Sequence, residues 1–370
     1  MNFSKLYSNC VRKENVDNSN KNNCCFIGRC VCSKCPIFDY DAKLIDSTLV
    51  YQDIKFEQFS YDVPECFIIT EYDCNKKTLE NYCYNPSKST VRIVDKLPYE
   101  YGKTDGLIIS DRLFINNGIY DSPFGRYTFL DHLFMLDINE NKWTPQIIGN
   151  YSETRTASIS LLHPTDSTKG IQLGGITPYY TNNKTIVIYD YKNYRREIIK
   201  NLPYNSNYVI DNGSSQHNAL YLFPKLRGDK VIIWDPREPI SHDITMDTSF
   251  MENKKNFNIS KSYESIYLIG GKIQGVSTNR YDSISNEIIE YDTRTNKMQF
   301  CTTMPIKRRD FGSFCFKNEI FIVGGISANG INDEKIHIYD IESKSWYISG
   351  DALPKPVSVN CAIFNERYFE

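Results

Sequence analysis

The sequence of 370 residues has few tryptophans and histidines, no long apolar run and almost no net charge. Lysine plus arginine number 43 and aspartate plus glutamate 45, so the formal net charge is −2. A near-neutral chain of this kind is not expected to bind nucleic acid or other polyanions in general. No run of about 18 apolar residues occurs, which excludes a membrane-spanning helix. The first twenty residues lack the apolar core of a signal peptide, so we expect an intracellular, cytoplasmic protein.

Local motifs of the common catalytic sites are also missing. The five histidines are at least 25 residues apart, so they form no zinc-binding pattern of the short helical type. The chain has no nucleophile elbow, no phosphate-binding loop and no dinucleotide-binding fingerprint. We therefore name no catalytic residue and no cofactor, and the expectation leans away from an enzyme.

Aromatic residues are abundant but unevenly distributed among types. The chain has 27 tyrosines and 20 phenylalanines beside 3 tryptophans. Aromatic and β-branched side chains pack well on the pleated, half-buried surface of a sheet. The composition therefore favours β structure.

Short apolar runs that end in paired glycines recur along the chain and indicate an internal repeat. The pairs are Gly174-Gly175, Gly270-Gly271 and Gly324-Gly325, and a degenerate version ends at Asn116-Asn117-Gly118. A side chain at such a pair would need extra space or a positive φ. We therefore expect neighbouring strands to approach closely at these glycines.

A second type of apolar run ends in an aromatic residue or leucine followed by aspartate. The aspartates are at positions 73, 137, 190, 235, 292 and 340, with spacings of 64, 53, 45, 57 and 48 residues. Spacings of roughly 40–50 residues plus insertions are typical of four-stranded propeller blades. A tryptophan follows seven residues after Leu136 and after Tyr339, which predicts a hairpin with an aromatic residue early in the outer strand.

This ordered series of doublets, Tyr-Asp endings and tryptophans resembles the kelch repeat. The most complete unit, 304–346, has Met304-Pro305, Arg308, the doublet, Tyr339 and Trp346 in the family's order. The resemblance covers residues 66–370 and implies an all-β fold, a kelch-type β-propeller with six blades of four-stranded antiparallel sheets. It also implies structural roles at the repeat positions, which are Gly174, Gly175, Gly270, Gly271, Gly324, Gly325, Tyr189, Tyr291, Tyr339, Trp143 and Trp346.

The sequence allows two ways of closing the ring. In the favoured one, residues 358–369 supply inner strands to a blade whose outer strands come from residues 65–84, because an open propeller would expose sheet edges. In the other, residues 43–63 supply those inner strands and the carboxyl terminus is an added piece. The first solution gives six blades.

The amino-terminal segment differs from the rest in composition. We expect residues 1–36 to form a flexible, Cys-rich, basic tail, with six Lys/Arg against two acidic residues, and residues 37–370 to form the propeller. Four of its cysteines, Cys25, Cys30, Cys32 and Cys35, have a spacing that zinc could use. Reversible acylation at a membrane surface and free thiols without a role are the alternatives, and a disulfide framework is not expected in a reducing compartment.

The loops of the propeller are the expected functional surface. In kelch adaptors, basic and aromatic residues at one end of the ring bind short peptides, and tyrosine and arginine contribute most per residue at interfaces. The matching loops here are 119–131, 176–184, 272–287 and 326–335. Their candidate partner-binding residues are Tyr120, Arg126, Tyr127, Tyr179, Tyr180, Arg280 and Tyr281. Arg309, on the connection that precedes the last of these blades, is a further candidate. For the neighbouring Arg308, binding a partner and fastening the blade are equally weighted.

These features predict a protein-interaction module without catalysis. The resemblance implies a substrate-recognition adaptor of a ubiquitin ligase or a cytoskeletal adaptor as particular forms of that role. A BTB domain needs about 100 residues, and about 65 precede the blades, so we expect a kelch repeat protein without an evident BTB domain. The alternative function is an enzyme or small-ligand binder with a site at the mouth of the central channel. The identity of the partner and the oligomeric state stay open.

Overall fold

The chain divides into two units, residues 1–57 and 58–370, in the computed structural model. The structure describes residues 25–26, 29–30, 64–70, 80–95, 97, 101–102, 105–109, 112–116, 119–122, 126–129, 132–147, 156–176, 185–193, 195–199, 204, 210–224, 230–245, 254–255, 257–273 and 284–364. The described residues of the first unit form one hairpin, in which Cys25–Phe26 pairs with Arg29–Cys30.

The second unit contains six antiparallel sheets of four strands, which we call blades 1 to 6. From the hub outward, the strands of blade 1 are Val359–Phe364, Cys66–Thr70, Asn81–Asn85 and Thr90–Val94. Those of blade 2 are Asp105–Ile109, Arg112–Asn116, His132–Asp137 and Lys142–Ile147. Those of blade 3 are Thr156–Leu162, Lys169–Ile176, Ile186–Asp190 and Arg195–Ile199.

The remaining three blades have the same strand order. The strands of blade 4 are Ile210–Gln216, Ala219–Pro224, Lys230–Trp234 and His242–Thr245. Those of blade 5 are Asn258–Lys261, Ser265–Ile269, Glu287–Asp292 and Lys297–Thr303. Those of blade 6 are Gly312–Phe316, Glu319–Val323, Lys335–Asp340 and Ser345–Ala352.

The six blades form a closed ring. The first strand of each blade contacts the first strands of both neighbouring blades, and the circuit runs from blade 1 through blade 6 and back. Closure is achieved within blade 1, where Val359–Phe364 pairs with Cys66–Thr70. The fold is therefore an all-β, six-bladed propeller, which confirms the predicted fold class.

Two details of the sequence interpretation of blade 1 are wrong. The strand Cys66–Thr70 pairs on one side with Val359–Phe364 and on the other with Asn81–Asn85, so the carboxyl-terminal part supplies one inner strand and not two. The third strand of this blade ends at Tyr84-Asn85, so Asp73 is not the repeat position assigned to it. With position 85 in place of 73, the first spacing becomes 137 − 85 = 52 residues, because the true end of the third strand restores the regular period.

The repeat aspartates cap the turn between the third and fourth strands. In blade 6, the Asp340 carboxylate accepts hydrogen bonds from the backbone N–H groups of Glu342 and Ser343 at 2.9 and 3.0 Å. Asp137, Asp190, Asp235 and Asp292 accept equivalent bonds in blades 2 to 5, and Asn85 does so in blade 1. A side-chain carboxylate or amide that satisfies these N–H groups favours the tight turn.

The paired glycines lie where a blade meets the first strand of the next one. All six have positive φ, between 63° and 95°, a region that other residues adopt only at a cost. A Cβ at Gly324 would lie 2.8 Å from Val359 Cγ2 and 2.9 Å from the Val357 carbonyl oxygen, in the segment that enters blade 1. The doublet therefore permits the close approach of adjacent blades.

Aromatic and aliphatic side chains fill the spaces between blades. Between blades 6 and 1, Tyr84 lies against Phe314 and Phe321 with ring centroids 6.3 and 5.9 Å apart. Tyr339 packs on Trp346 at 5.2 Å, and Trp143 is buried with its indole N–H donating to the Asp95 carbonyl at 2.8 Å. Tyr189 and Tyr291 are also buried. Both faces of each sheet are covered in this way, which a single blade could not achieve.

Candidate functional site

One end of the ring carries both the connections between the second and third strands and the connections that lead from one blade to the next. We call this the loop end, and the opposite end the turn end. Short ladders link the two kinds of connection: Arg308–Arg309 pairs with Ile326–Ser327, Lys254–Lys255 with Lys272–Ile273, and Tyr101–Gly102 with part of Ile119–Ser122. Because every blade is antiparallel, all six blades present the same two kinds of connection at this end.

The structure places some of the predicted partner-binding residues at the loop end. Tyr120 lies on Ile119–Ser122 of the blade 2 loop, and Arg126 and Tyr127 lie on the strand Arg126–Phe129 that pairs with it. Arg309 lies on the connection into blade 6. It is therefore at the same end of the ring as these three residues, but on a different blade. Tyr179, Tyr180, Arg280 and Tyr281 lie outside the described residues.

Arg308 is a buried anchor and not a surface residue. Its side chain is 1% exposed, and its Nη1 donates to the Gly324 carbonyl at 2.9 Å. Its Nη2 lies 2.8 Å from the Asp333 Oδ2 atom. These contacts tie the connection into blade 6 to the glycine doublet and to the end of the blade 6 loop. Of the two roles weighed for Arg308, the geometry fits fastening, because a side chain this buried cannot reach a partner.

A histidine completes the cluster beneath the blade 6 loop. His337 Nε2 lies 3.2 Å from the same Oδ2 atom of Asp333, and the other carboxylate oxygen accepts from the Lys335 N–H at 3.0 Å. Burial opposes ionisation of Asp333, but the Lys335 N–H, Arg308 and His337 outweigh it and lower the pKa of this carboxyl. The cluster is therefore an ion pair that shares one oxygen with an imidazole.

Blade 5 has an equivalent anchor made from different residues. Lys254 is buried, and its Nζ forms an ion pair and hydrogen bond with Glu287, beside the Ser285 hydroxyl. Lys254 precedes the first doublet glycine by 270 − 254 = 16 residues, as Arg308 does by 324 − 308 = 16. The sequence interpretation missed Lys254, although this constant offset from the doublet is a signal that could have found it.

Above its anchor, blade 6 presents apolar and cationic side chains to solvent. Ile331 is 67% exposed at the tip of the loop, and Ile306 is 38% exposed on the adjoining connection. Lys307 and Lys335 are exposed, and the half-buried Arg309 forms an ion pair with Asp310. The Ala328 N–H donates to the Lys307 carbonyl at 3.2 Å and links the two segments. An exposed isoleucine on an anchored loop is suited to contact another macromolecule.

The possible metal ligands of the tail are only partly described. Cys25 and Cys30 are cross-strand partners in the hairpin of the first unit, while Cys32 and Cys35 lie outside the described residues. Within the described ranges, no group of three or more His, Cys, Asp or Glu side chains is arranged to hold a metal ion. Zinc binding by the four tail cysteines stays a prediction.

The described cysteines of the propeller are free thiols. Cys66, Cys83 and Cys315 are buried, and desolvation raises the pKa of each thiol, to about 12 for Cys315. Buried thiols of raised pKa are inert side chains of the core. These three residues therefore contribute packing.

Comparisons with known proteins agree with this geometry. A family model described as the Kelch motif matches residues 307–351. Kelch-like protein 15 of Danio rerio is 26% identical over 162 residues, which is 39% of this chain and 26% of that protein, so the matched region spans about a quarter of the relative's length. The solved structure of YjhT has a TM-score of 0.59 at 13% identity and covers 73% of this chain and 90% of its own.

The fold is a six-bladed propeller whose repeats carry glycine doublets and Tyr-Asp endings. The family match in blade 6 and the Kelch-like relative support the resemblance of these repeats to the kelch motif. The fold and the homologue fit a protein-interaction module. Within the described part of the chain, no helix has the length and apolarity needed to cross a membrane.

Proposed function

We propose that the protein is a non-catalytic, cytoplasmic interaction module that binds a protein partner through the loop end of its propeller. The observation that carries this proposal is the exposed Ile331 on a loop whose base is held by a buried ion pair. A loop that is ordered before binding loses less conformational entropy on association. Recognition of a substrate for a ubiquitin ligase, or of a cytoskeletal protein, is the particular form that we propose.

The contact surface that we propose extends around the ring from blade 6. It includes Arg309 and the exposed Ile306 and Lys307 of the connection into that blade. It also includes the tyrosines and arginines of the other loops, which are Tyr120, Arg126, Tyr127, Tyr179, Tyr180, Arg280 and Tyr281. Cationic and aromatic groups around an apolar centre are typical of interaction surfaces.

The test compares two triple variants of the full chain that change opposite ends of the ring. The loop-end variant carries Arg126→Ala, Arg309→Ala and Ile331→Ser. The turn-end control carries Arg237→Ala, Arg294→Ala and Tyr263→Ser, which are exposed residues of turns. Both sets remove two arginines and one large apolar side chain, so they change charge and apolar area alike.

Tagged proteins are expressed in the native cell, crosslinked and compared by quantitative mass spectrometry. We expect the loop-end variant to recover a specific partner at least roughly tenfold less than the wild type, and the turn-end control to recover it normally. Equal recovery by both variants, or a loss confined to the turn-end control, would contradict the proposal.

A further inference from the structure

The cluster under the blade 6 loop contains a titratable group that fastening alone does not require. Asp333 and Arg308 already form a buried ion pair at 2.8 Å. His337 shares the same carboxylate oxygen at 3.2 Å, and its side chain is 6% exposed. It comes from the third strand of blade 6, next to an irregularity of the ladder with the fourth strand between residues 335 and 337.

The charged groups that act on His337 are few. They are Arg308 from the connection into the blade, Asp333 from the loop and Lys335 from its own strand. Its cross-strand partners, Ile322 and Ile348, carry no charge. Burial and then the Arg308 guanidinium lower the pKa of His337, and the attraction of Asp333 does not compensate for them.

The Asp333 segment also holds the loop through its backbone. The Asp333 N–H donates to the Gly325 carbonyl at 2.9 Å, and the Leu353 N–H donates to the Glu334 carbonyl at 2.8 Å. With the Ala328 bond to Lys307, these contacts close the loop onto its own blade and onto the preceding connection. Loss of the Asp333 contacts would therefore release the residues that carry Ile331.

We propose that Asp333, Arg308 and His337 form a proton-sensitive latch, closed while the imidazole is neutral and opened when it takes up a proton. A neutral imidazole lets Asp333 balance one cation, whereas a protonated one places a second cation on the same carboxylate oxygen in a buried site. The open loop exposes the imidazole to water and removes this conflict. Protons therefore bind the open state more tightly, and acidification shifts the population toward it.

The sign and range of the effect follow from the direction of the pKa shift. The ordinary pKa of histidine is 6.5, and the closed state holds His337 below that value. The closed latch is therefore unaffected well above pH 6.5. It loses stability as the pH falls below 6.5, until the imidazole of the closed state is itself protonated.

Blade 5 provides an internal control. Its Ser285 N–H donates to the Gly271 carbonyl at 2.9 Å and its Met304 N–H to the Asn286 carbonyl at 2.7 Å, which match the Asp333 and Leu353 bonds of blade 6. Its anchor pairs Lys254 with Glu287 and contains no histidine. The blade 5 loop should therefore respond far less between pH 7.5 and 5.5.

The latch is tested on the free full chain by hydrogen exchange at pH 7.5 and 5.5, with rates corrected for intrinsic exchange. We expect the amides of residues 327–335 to lose protection at pH 5.5, by at most roughly tenfold, because pH 5.5 lies one unit below the ordinary pKa of 6.5. The amide of Ser285 should keep its protection. His337→Gln should abolish the pH response, and His163→Gln, at the turn end, should leave it intact.

Two outcomes would overturn the latch. One is parallel loss of protection in the loops of blades 5 and 6 in the wild type, which needs no variant to fold. The other is a pH response that persists in His337→Gln. A separate variant, Asp333→Asn, should open the loop at both pH values.

A role of the latch in regulation rests on the proposed function, because it assumes that the loop end binds the partner. The exchange experiment uses no partner, so the two proposals can fail separately. If hydrogen exchange supports the latch but crosslinking contradicts binding at the loop end, the loop opens without controlling that interaction.

Discussion

Blade 6 and blade 4 have the same four-stranded sheet, although they differ greatly in sequence. Blade 6 has the doublet, the Tyr-Asp ending and the tryptophan, while blade 4 has Pro224-Lys225 where the doublet would be and Trp234 at the tyrosine position. Both retain buried apolar residues in the second strand and an aspartate that caps the outer turn. These shared features therefore suffice for the sheet, and the doublet has a more local role.

The length of the loop accounts for that local role. In blade 6, 335 − 323 − 1 = 11 residues separate the second strand from the third. Blade 4 has 230 − 224 − 1 = 5 residues between its second and third strands. The longer loop of blade 6 returns to the preceding connection, and the glycines leave room for this return beside Phe311 and Arg309.

The largest effect is expected at the doublet. Gly325 has φ 94°, and a Cβ there would lie 2.7 Å from Phe311 Cβ and 2.9 Å from the Arg309 carbonyl oxygen. Gly325→Val should lower the free energy of unfolding by about 4 kcal/mol, because backbone strain and overpacking combine. Urea unfolding measures this change. Gly350→Ala, with no atom within 4 Å of the added Cβ, should be nearly neutral; comparable losses would refute the steric explanation.

The anchor of blade 6 should matter more than that of blade 5. Arg308→Met leaves the Asp333 carboxylate, whose side chain is only 16% exposed, without its guanidinium partner, at a cost of about 3 kcal/mol. Lys254→Met leaves Glu287, whose side chain is 42% exposed and can be hydrated, so about 1 kcal/mol is expected. Chemical denaturation of both variants gives the ranking. A larger loss for Lys254→Met than for Arg308→Met would contradict this ranking.

At the hub, blade 4 uses an amide where blade 2 uses a carboxylate. Asn212 Nδ2 donates to the Phe257 carbonyl at 2.8 Å. In blade 2, Asp105 accepts from the Ser160 N–H of blade 3 at 2.5 Å and from the Gly106 N–H at 2.8 Å. Burial outweighs these bonds and raises the pKa of Asp105 from 3.8 to about 7. The folded protein therefore binds a proton here that the unfolded chain has released.

The pH dependence of stability follows from that difference. Since the native pKa is the higher one, this site loses stability as the pH rises from about 4 to about 7. Relative to the wild type, Asp105→Asn should gain on the order of 2–3 kcal/mol between pH 5 and pH 8, because it cannot ionise. Thermal unfolding at the two pH values measures the gain, and a constant difference would argue against a titrating Asp105.

The smallest effect is expected at the turn between the third and fourth strands, which has the same aspartate cap in blades 6 and 4. Asp340→Ala and Asp235→Ala each remove a carboxylate that accepts backbone N–H groups of an exposed turn. Each should lower Tm by roughly 1–3 °C, and by a similar amount in blades 6 and 4. A large loss in one blade alone would mean that the aspartate has a further role there.

Much of the propeller could be predicted from the sequence because its signals are local. Alternating apolar residues identify strands, and Asp340 or Asp292 marks the turn that follows one. Blade 1 shows the limit of such signals, because Asp73 follows an apolar run as convincingly as Asn85 does. Only the pairing of Cys66–Thr70 with strands on both sides reveals which run is the third strand.

The candidate site was less predictable. The loops could be assigned from their place between doublet and Tyr-Asp ending, and Tyr120, Arg126, Tyr127 and Arg309 do lie at one end of the ring. The cluster beneath the blade 6 loop could not be assigned. His337 alternates with isoleucines in a strand, and nothing in that pattern indicates that it shares an oxygen atom with the pair of Arg308 and Asp333.

The sequence by itself determined the class of fold, the period of the blades and the residues that turn the chain. Tertiary structure alone decided which strand closes the ring, that Arg308 is buried, and that Asp105 meets the backbone of the next blade. The physical reason is the separation along the chain of the residues that interact. Periodicity and turn chemistry act between residues a few positions apart, whereas burial and shared protons depend on segments that the ring brings together from distant parts of the chain.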